Sequence, residues 1–118
     1  AGLNAGMRYV NQIGLNTISL REQRQVARCA RELEKMGFSV FAGPHQSGVL
    51  SFVPFVDCQE AADVLMKAGI AVRSGLHCAP LAHKTAGTED TGTVRVSFGH
   101  DASDHQTTFF LQRVQALR

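Results

Sequence analysis

Tryptophan is absent from this sequence, tyrosine occurs once, and no run of like charges interrupts its 118 residues. Twelve Lys and Arg stand against ten Asp and Glu, scattered and without aromatic interleaving. That pattern gives nucleic-acid binding no support and membrane binding little, so neither is expected as a partner. No apolar run reaches the length of a bilayer span, and no signal-peptide pattern is present. Cysteine is scarce: Cys29, Cys58 and Cys78 are widely and irregularly spaced, with no CxxC pair. A zinc knuckle and a thioredoxin-like redox pair are thereby excluded, no metal site is expected, and a reducing, cytoplasmic setting is the default. An initiator Met is also missing. Ala1-Gly2-Leu3-Asn4 runs straight into a helical pattern, which suggests a segment cut or processed from a longer chain.

What is present suffices for one packed core. The hydrophobic fraction is 44% over a single domain's length, and the charged fraction of 19% lies outside the disordered range. Leu3, Met7, Val10 and Ile13 recur at helical spacing before Gly14. A second helix is expected from a Ser19 cap, with Val26, Ala27, Ala30 and Leu33 facing the core and Gly37 as its stop. Phe38–Val40 and Val49–Val56, separated by Gly43-Pro44 and Gly48, read as two adjacent strands. Asp57 caps a third helix with Ala61, Val64, Leu65 and Ala68 inward and Gly69 as its stop. Ile70–Val72 reads as a short strand, 73–93 as a long loop without structure, and Val94–Phe98 as an alternating strand. The last helix opens at Ser103, where Gln106 completes a capping box, and carries Thr107, Phe110, Leu111, Val114 and Leu117. The fold class expected is α+β: a small, mainly antiparallel sheet with helices packed on one face. So long a loop in so small a domain points to function.

Cys78 lies in that loop among Gly, His and Pro, off any apolar stripe. A reactive thiol and a small buried hydrophobe are both open readings of it. Arg73 or His77 would favour a thiolate if either approached the sulfur. Cys29, inside the second helix, and Cys58, in the first turn of the third, read as structural.

The segment Val72-Arg73-Ser74-Gly75-Leu76-His77-Cys78-Ala79-Pro80-Leu81-Ala82-His83, followed by Gly87-Thr88 and by Gly92-Thr93-Val94-Arg95-Val96-Ser97-Phe98-Gly99, resembles the C-terminal signature of class V aminotransferase-type enzymes. It is most similar to the group II cysteine desulfurase and selenocysteine lyase branch. Ala1-Gly2-Leu3 and Gly14–Ile18 resemble the helical entry to the same domain. The resemblance implies that residues 1–118 form a single C-terminal small domain of a fold-type I pyridoxal-phosphate enzyme. It further implies that the large domain holds the cofactor and that the full-length form is a homodimer.

In such enzymes pyridoxal phosphate withdraws electrons from Cα of L-cysteine or a related amino acid. The loop cysteine then attacks the substrate sulfur, leaving an enzyme persulfide and releasing alanine. By motif position Cys78 is that catalytic residue. Arg95 matches the clamp for the substrate carboxylate, which its donor fork can hold bidentately. Its plain alternative is a surface residue on an edge strand. Arg73 matches a second substrate-binding arginine, or else a salt-bridge partner holding the loop. His77 matches the histidine before the nucleophile, expected to shape the loop or influence proton handling. His83 holds a motif position, with a surface histidine as the alternative. Gly75, Gly92 and Gly99 are expected to allow close approach to the cofactor domain.

None of Lys35, Lys67 and Lys84 matches the lysine that carries the cofactor, so no cofactor-binding residue is assigned and the isolated chain is expected to be inactive. The stretch His100 to Gln106 departs from the family's usual aromatic-Asn-Thr-Glu pattern, and Ala102 forfeits a turn hydrogen bond. Delivery of sulfur to an acceptor protein, as in iron–sulfur cluster assembly, is implied without any residue identifying the acceptor. One competing reading is a selenocysteine lyase or related class V enzyme with an altered substrate. Another is a stand-alone persulfide carrier or partner-binding module, which would not need Arg95.

Overall fold

The computed structural model describes residues 1–118. Its elements are α1 (Gly2–Ile13), α2 (Leu15–Lys35), β1 (Ser39–Phe41), β2 (Val49–Val53), α3 (Cys58–Lys67), β3 (Arg73–Gly75), α4 (Pro80–Ala86), β4 (Thr93–Ser97) and α5 (Asp104–Gln115). The four strands form one sheet in the order β1-β2-β4-β3, and every neighbouring pair is antiparallel. The last strand of the sequence therefore inserts between β2 and β3.

Alternation along the strands divides the sheet into two faces. Leu50 and Phe52 of β2 and Val94 and Val96 of β4 point one way and are buried. The amphipathic helices α2, α3 and α5 close over them with Val26, Cys29 and Leu33, with Ala61 and Leu65, and with Phe110, Leu111, Val114 and Leu117. Phe52 anchors the contact through edge-on packing against both Phe38 and Phe110. The α+β reading and the antiparallel sheet hold.

Local chemistry sets the element ends. Asp57 accepts hydrogen bonds from the backbone N–H groups of Gln59 and Glu60, capping α3. Ser103 and Gln106 form the reciprocal capping box of α5. At Gly37, φ is +90° and Phe38 N donates back to Leu33 O, the left-handed stop that glycine permits.

Several expectations are corrected. Ser19 does not cap α2. Gly14, with φ +89°, redirects the chain and the helix restarts at once from Leu15, so Ser19 lies inside it and accepts from Gln23 Nε2 at 3.0 Å. Ala27 is exposed, whereas Gln25 is buried and accepts from Thr107 Oγ1 at 2.8 Å. This polar pair joins α2 to α5 beside Asp104, which also takes Arg24 at 3.1 Å. Val64 is exposed and Cys58 and Ala62 are buried, a rotation of the inward face of α3.

Ile70–Val72 is not a strand. Ile70 N donates to Leu65 O, completing the end of α3, and pairing begins only at Arg73. Nor is 73–93 unstructured, since it holds β3, a tight turn and α4. That helix starts at a proline, ends at left-handed Gly87, and is seven residues long with Leu81 fully outward, so no apolar period marks it in the sequence.

α1 stands apart. It buries no residue, and Leu3 and Met7 are exposed. Tyr9 Oη, 3.2 Å from His100 Nε2, ties it to the segment between β4 and α5.

Candidate active site

The sheet face turned away from α2, α3 and α5 carries a different set of residues. Phe41, Ser51, Arg95 and Arg73 are successive cross-strand partners and form one row across all four strands. Directly opposed side chains on one face have Cβ atoms about 4.5–5.5 Å apart. Two arginine side chains thus leave the sheet from neighbouring positions on one face, Arg95 half-buried and Arg73 exposed. The chain's ion pairs all lie on α2 and α5, so neither arginine has a carboxylate partner. Opposed like charges are unfavourable, and an anion lying between them would relieve that cost. Arg95 is on an interior strand, which overturns its edge-strand alternative, and Arg73 is no salt-bridge partner for the loop.

Two residues beyond Arg73, Gly75 ends β3 with φ +99° and the chain enters a tight turn. His77 and Cys78 both have positive φ, +52° and +60°, and Ala79 N donates to Leu76 O at 2.9 Å. Two successive left-handed residues closed by such a bond follow the type I′ pattern, which favours Asn and Gly. For other L-residues this conformation costs roughly 1–2 kcal/mol each. Cys78 is exposed at the crest of the turn, while Cys29 and Cys58 are buried. Burial pushes the Cys29 thiol up to about 12, against the smaller opposing pull of Arg28, which leaves it inert.

Behind the turn, His77 Nε2 lies 3.0 Å from Thr93 Oγ1, and the buried His83 has Nδ1 2.8 Å from Thr88 Oγ1. The two imidazole rings are 5.8 Å apart. With Phe41 and Ser51 from the strands and Ala82 and Ala86 from α4, they line a cavity of about 170 Å³. His77 Nδ1 is buried without a hydrogen-bond partner. Burial holds the His77 pKa below its ordinary value, as do the nearby Arg95, His83 and Arg73, against an opposing hydrogen bond with the Thr93 backbone. The surface alternative for His83 is corrected, because its side chain is interior. Thr88 and Thr93 were not singled out from the sequence; only their pairing with two histidines across the fold marks them.

Gly92 explains one tight approach. A Cβ there would lie 3.0 Å from Cys58 Sγ and 3.1 Å from Gly75 Cα. The closeness is thus between the start of β4, the end of β3 and α3.

The small α+β domain thus carries an exposed thiol in a turn and two arginines without carboxylate partners on the adjoining sheet. Residues 1–108 match the family described as aminotransferase class-V, and the chain belongs to that family. It is 37% identical over 121 residues to a probable cysteine desulfurase of Pyrococcus abyssi, covering 98% of this chain and 29% of that protein. With a cysteine desulfurase of Synechococcus elongatus it shares 33% identity over 109 residues, covering 90% of this chain and 17% of that one. Among solved structures, the apo cysteine desulfurase of Thermococcus onnurineus superposes with a TM-score of 0.91 at 35% identity, over 98% of this chain and 30% of that chain. An Escherichia coli cysteine desulfurase superposes at 0.88 with 24% identity, a likeness of fold. The chain thus spans less than a third of the length of each of these proteins.

Pyridoxal phosphate, which the family implies, needs a lysine to carry it and a carboxylate facing its ring nitrogen. The residues here do not fit that need. No lysine or carboxylate lines the cavity behind Cys78, Lys35 is paired with Glu32 at 2.8 Å on the far side of the sheet, and Lys67 and Lys84 are exposed on α3 and α4.

Proposed function

We propose that this chain is the C-terminal small domain of a cysteine desulfurase of the group II type, with Cys78 as its sulfur-accepting nucleophile. The observation that carries the reading is the unpaired Arg73–Arg95 row leading into the strained turn that exposes Cys78. In this reading Arg95, assisted by Arg73, binds the substrate α-carboxylate and so orients the amino acid on the open face. The Cys78 thiolate attacks the substrate sulfur. A sulfur–sulfur bond forms, the substrate carbon–sulfur bond breaks with its electron pair passing to carbon, and protonation of that carbon yields alanine. Cys78 thiol and cysteine are thereby converted to Cys78 persulfide and alanine, with atoms and electrons balanced. The cofactor, which serves to withdraw electrons from the substrate, is assigned to a large domain outside residues 1–118. The exposed Leu3 and Met7 of α1 suit packing against such a domain. A persulfide carrier alone has no use for two carboxylate-binding arginines, which favours the enzyme reading over the carrier.

The test is mass spectrometry and alanine assay on the full-length enzyme supplied with L-cysteine. Cys78 is expected to gain the mass of one sulfur atom as alanine appears, Cys78→Ser to abolish both, and Arg95→Ala to raise KM for cysteine. The 118-residue chain with added pyridoxal phosphate is expected to release neither product. Turnover by the Cys78→Ser enzyme would remove Cys78 from the mechanism, and turnover by the isolated chain would require a cofactor site within it.

A further inference from the structure

We infer that Thr93 is a positioning residue for the nucleophile: its hydroxyl holds His77, and through His77 it holds the strained turn that presents Cys78. This rests on the reading of Cys78 given above and adds a residue that acts through His77.

A turn with two left-handed L-residues persists only where its surroundings fix it. Neither His nor Cys suits those positions as Asn or Gly would, so a restraint must come from elsewhere. Leu76 O and Ala79 N close the turn but do not attach it to the sheet. The side-chain attachment is the 3.0 Å contact between His77 Nε2 and Thr93 Oγ1, and the other ring nitrogen of His77 is without a partner. Thr93 is itself immobile. It is 3% exposed, sits on the interior strand β4 and is paired across to Gly75, the last residue before the turn. Its branched Cβ restricts χ1 and so aims the hydroxyl. His83, held by Thr88 at 2.8 Å, backs the His77 ring from the cavity side. Thr93 therefore connects the rigid ladder to the one place where the backbone is strained. A thiol moved by about an ångström loses rate without loss of substrate affinity.

Thr93→Val keeps the size and removes the hydroxyl; Thr93→Ser restores it. In the full-length enzyme, Thr93→Val is expected to slow single-turnover persulfide formation on Cys78 by about tenfold to a hundredfold, with KM for cysteine unchanged. Thr93→Ser is expected to recover most of that rate. His77→Asn tolerates the left-handed turn but cannot span to Thr93, and should be slow as well. A wild-type rate in Thr93→Val, a Thr93→Ser enzyme as slow as Thr93→Val, or a fully active His77→Asn enzyme would each overturn the assignment. If Thr93→Val does not fold, the Ser and Asn variants still decide it. NMR of the 118-residue chain gives a readout independent of the chemistry. Cys78 is expected to leave positive φ in Thr93→Val and keep it in Thr93→Ser, and a retained turn in Thr93→Val would refute the restraint even if Cys78 proved not to be the nucleophile.

Discussion

The two faces of the sheet are made by alternate residues of the same strands yet serve opposite ends. On the covered face Leu50, Phe52 and Val94 are fully buried among helices, and nearly every neighbour is apolar. On the open face the same strands place Ser51, Thr93 and Arg95, and β3 adds Arg73. Burial on the first supplies the stability that the second draws down through opposed like charges, a buried imidazole nitrogen without a partner and two left-handed L-residues. Strain is affordable at a site because a separate surface carries the fold.

Substitutions on each face sharpen that contrast. The largest stability effect is expected from Phe52→Ala, at about 3–5 kcal/mol of destabilisation by chemical denaturation; a loss below about 1 kcal/mol would mean that the covered face is not the stabilising one. Cys78→Gly should act in the opposite direction. Relief of roughly 1–2 kcal/mol of left-handed strain outweighs the added unfolded-state entropy of glycine, about 0.4–1 kcal/mol. A net gain of about 0.5–1 kcal/mol should appear as a raised melting temperature, and a loss would show that the turn is unstrained.

The smallest effect concerns pH. His77 titrates lower in the fold than its ordinary 6.5, so the unfolded chain binds the proton more readily than the native one. The uncharged imidazole is fully tolerated above that value. Stability should decline as pH falls from about 6.5 toward the lower native value. His77→Gln should flatten this part of the pH–stability curve, and an unaltered slope would assign the decline to another group.

Sequence periodicity served the covered face well. The helical stripes of α2 and α5, the alternation of Val94 and Val96, the Asp57 cap and the Ser103–Gln106 box are local signals, because caps and repeats involve residues a few positions apart. Where it failed, a non-local or glycine-driven effect prevailed. Gly14 restarted a helix without the Ser19 cap, and the end of α3 took up Ile70 before a strand could begin. α4 gave no apolar period because it is only seven residues long and turns Leu81 outward. Gln25, a polar residue in a helix, is buried where α5 brings Thr107 against it.

The candidate site divides the same way. By motif, the sequence alone determined Cys78, Arg73, Arg95 and His77 as the residues to watch, and with them the family, since side-chain chemistry and spacing along the chain are fixed before folding. That the two arginines are opposed and unpaired, that His83 is interior, and that Thr93 reaches His77 were decided by the tertiary structure. The cause is the strand order: inserting β4 between β2 and β3 sets residues about twenty positions apart on one face, and no pattern along the chain encodes which partners that pairing supplies.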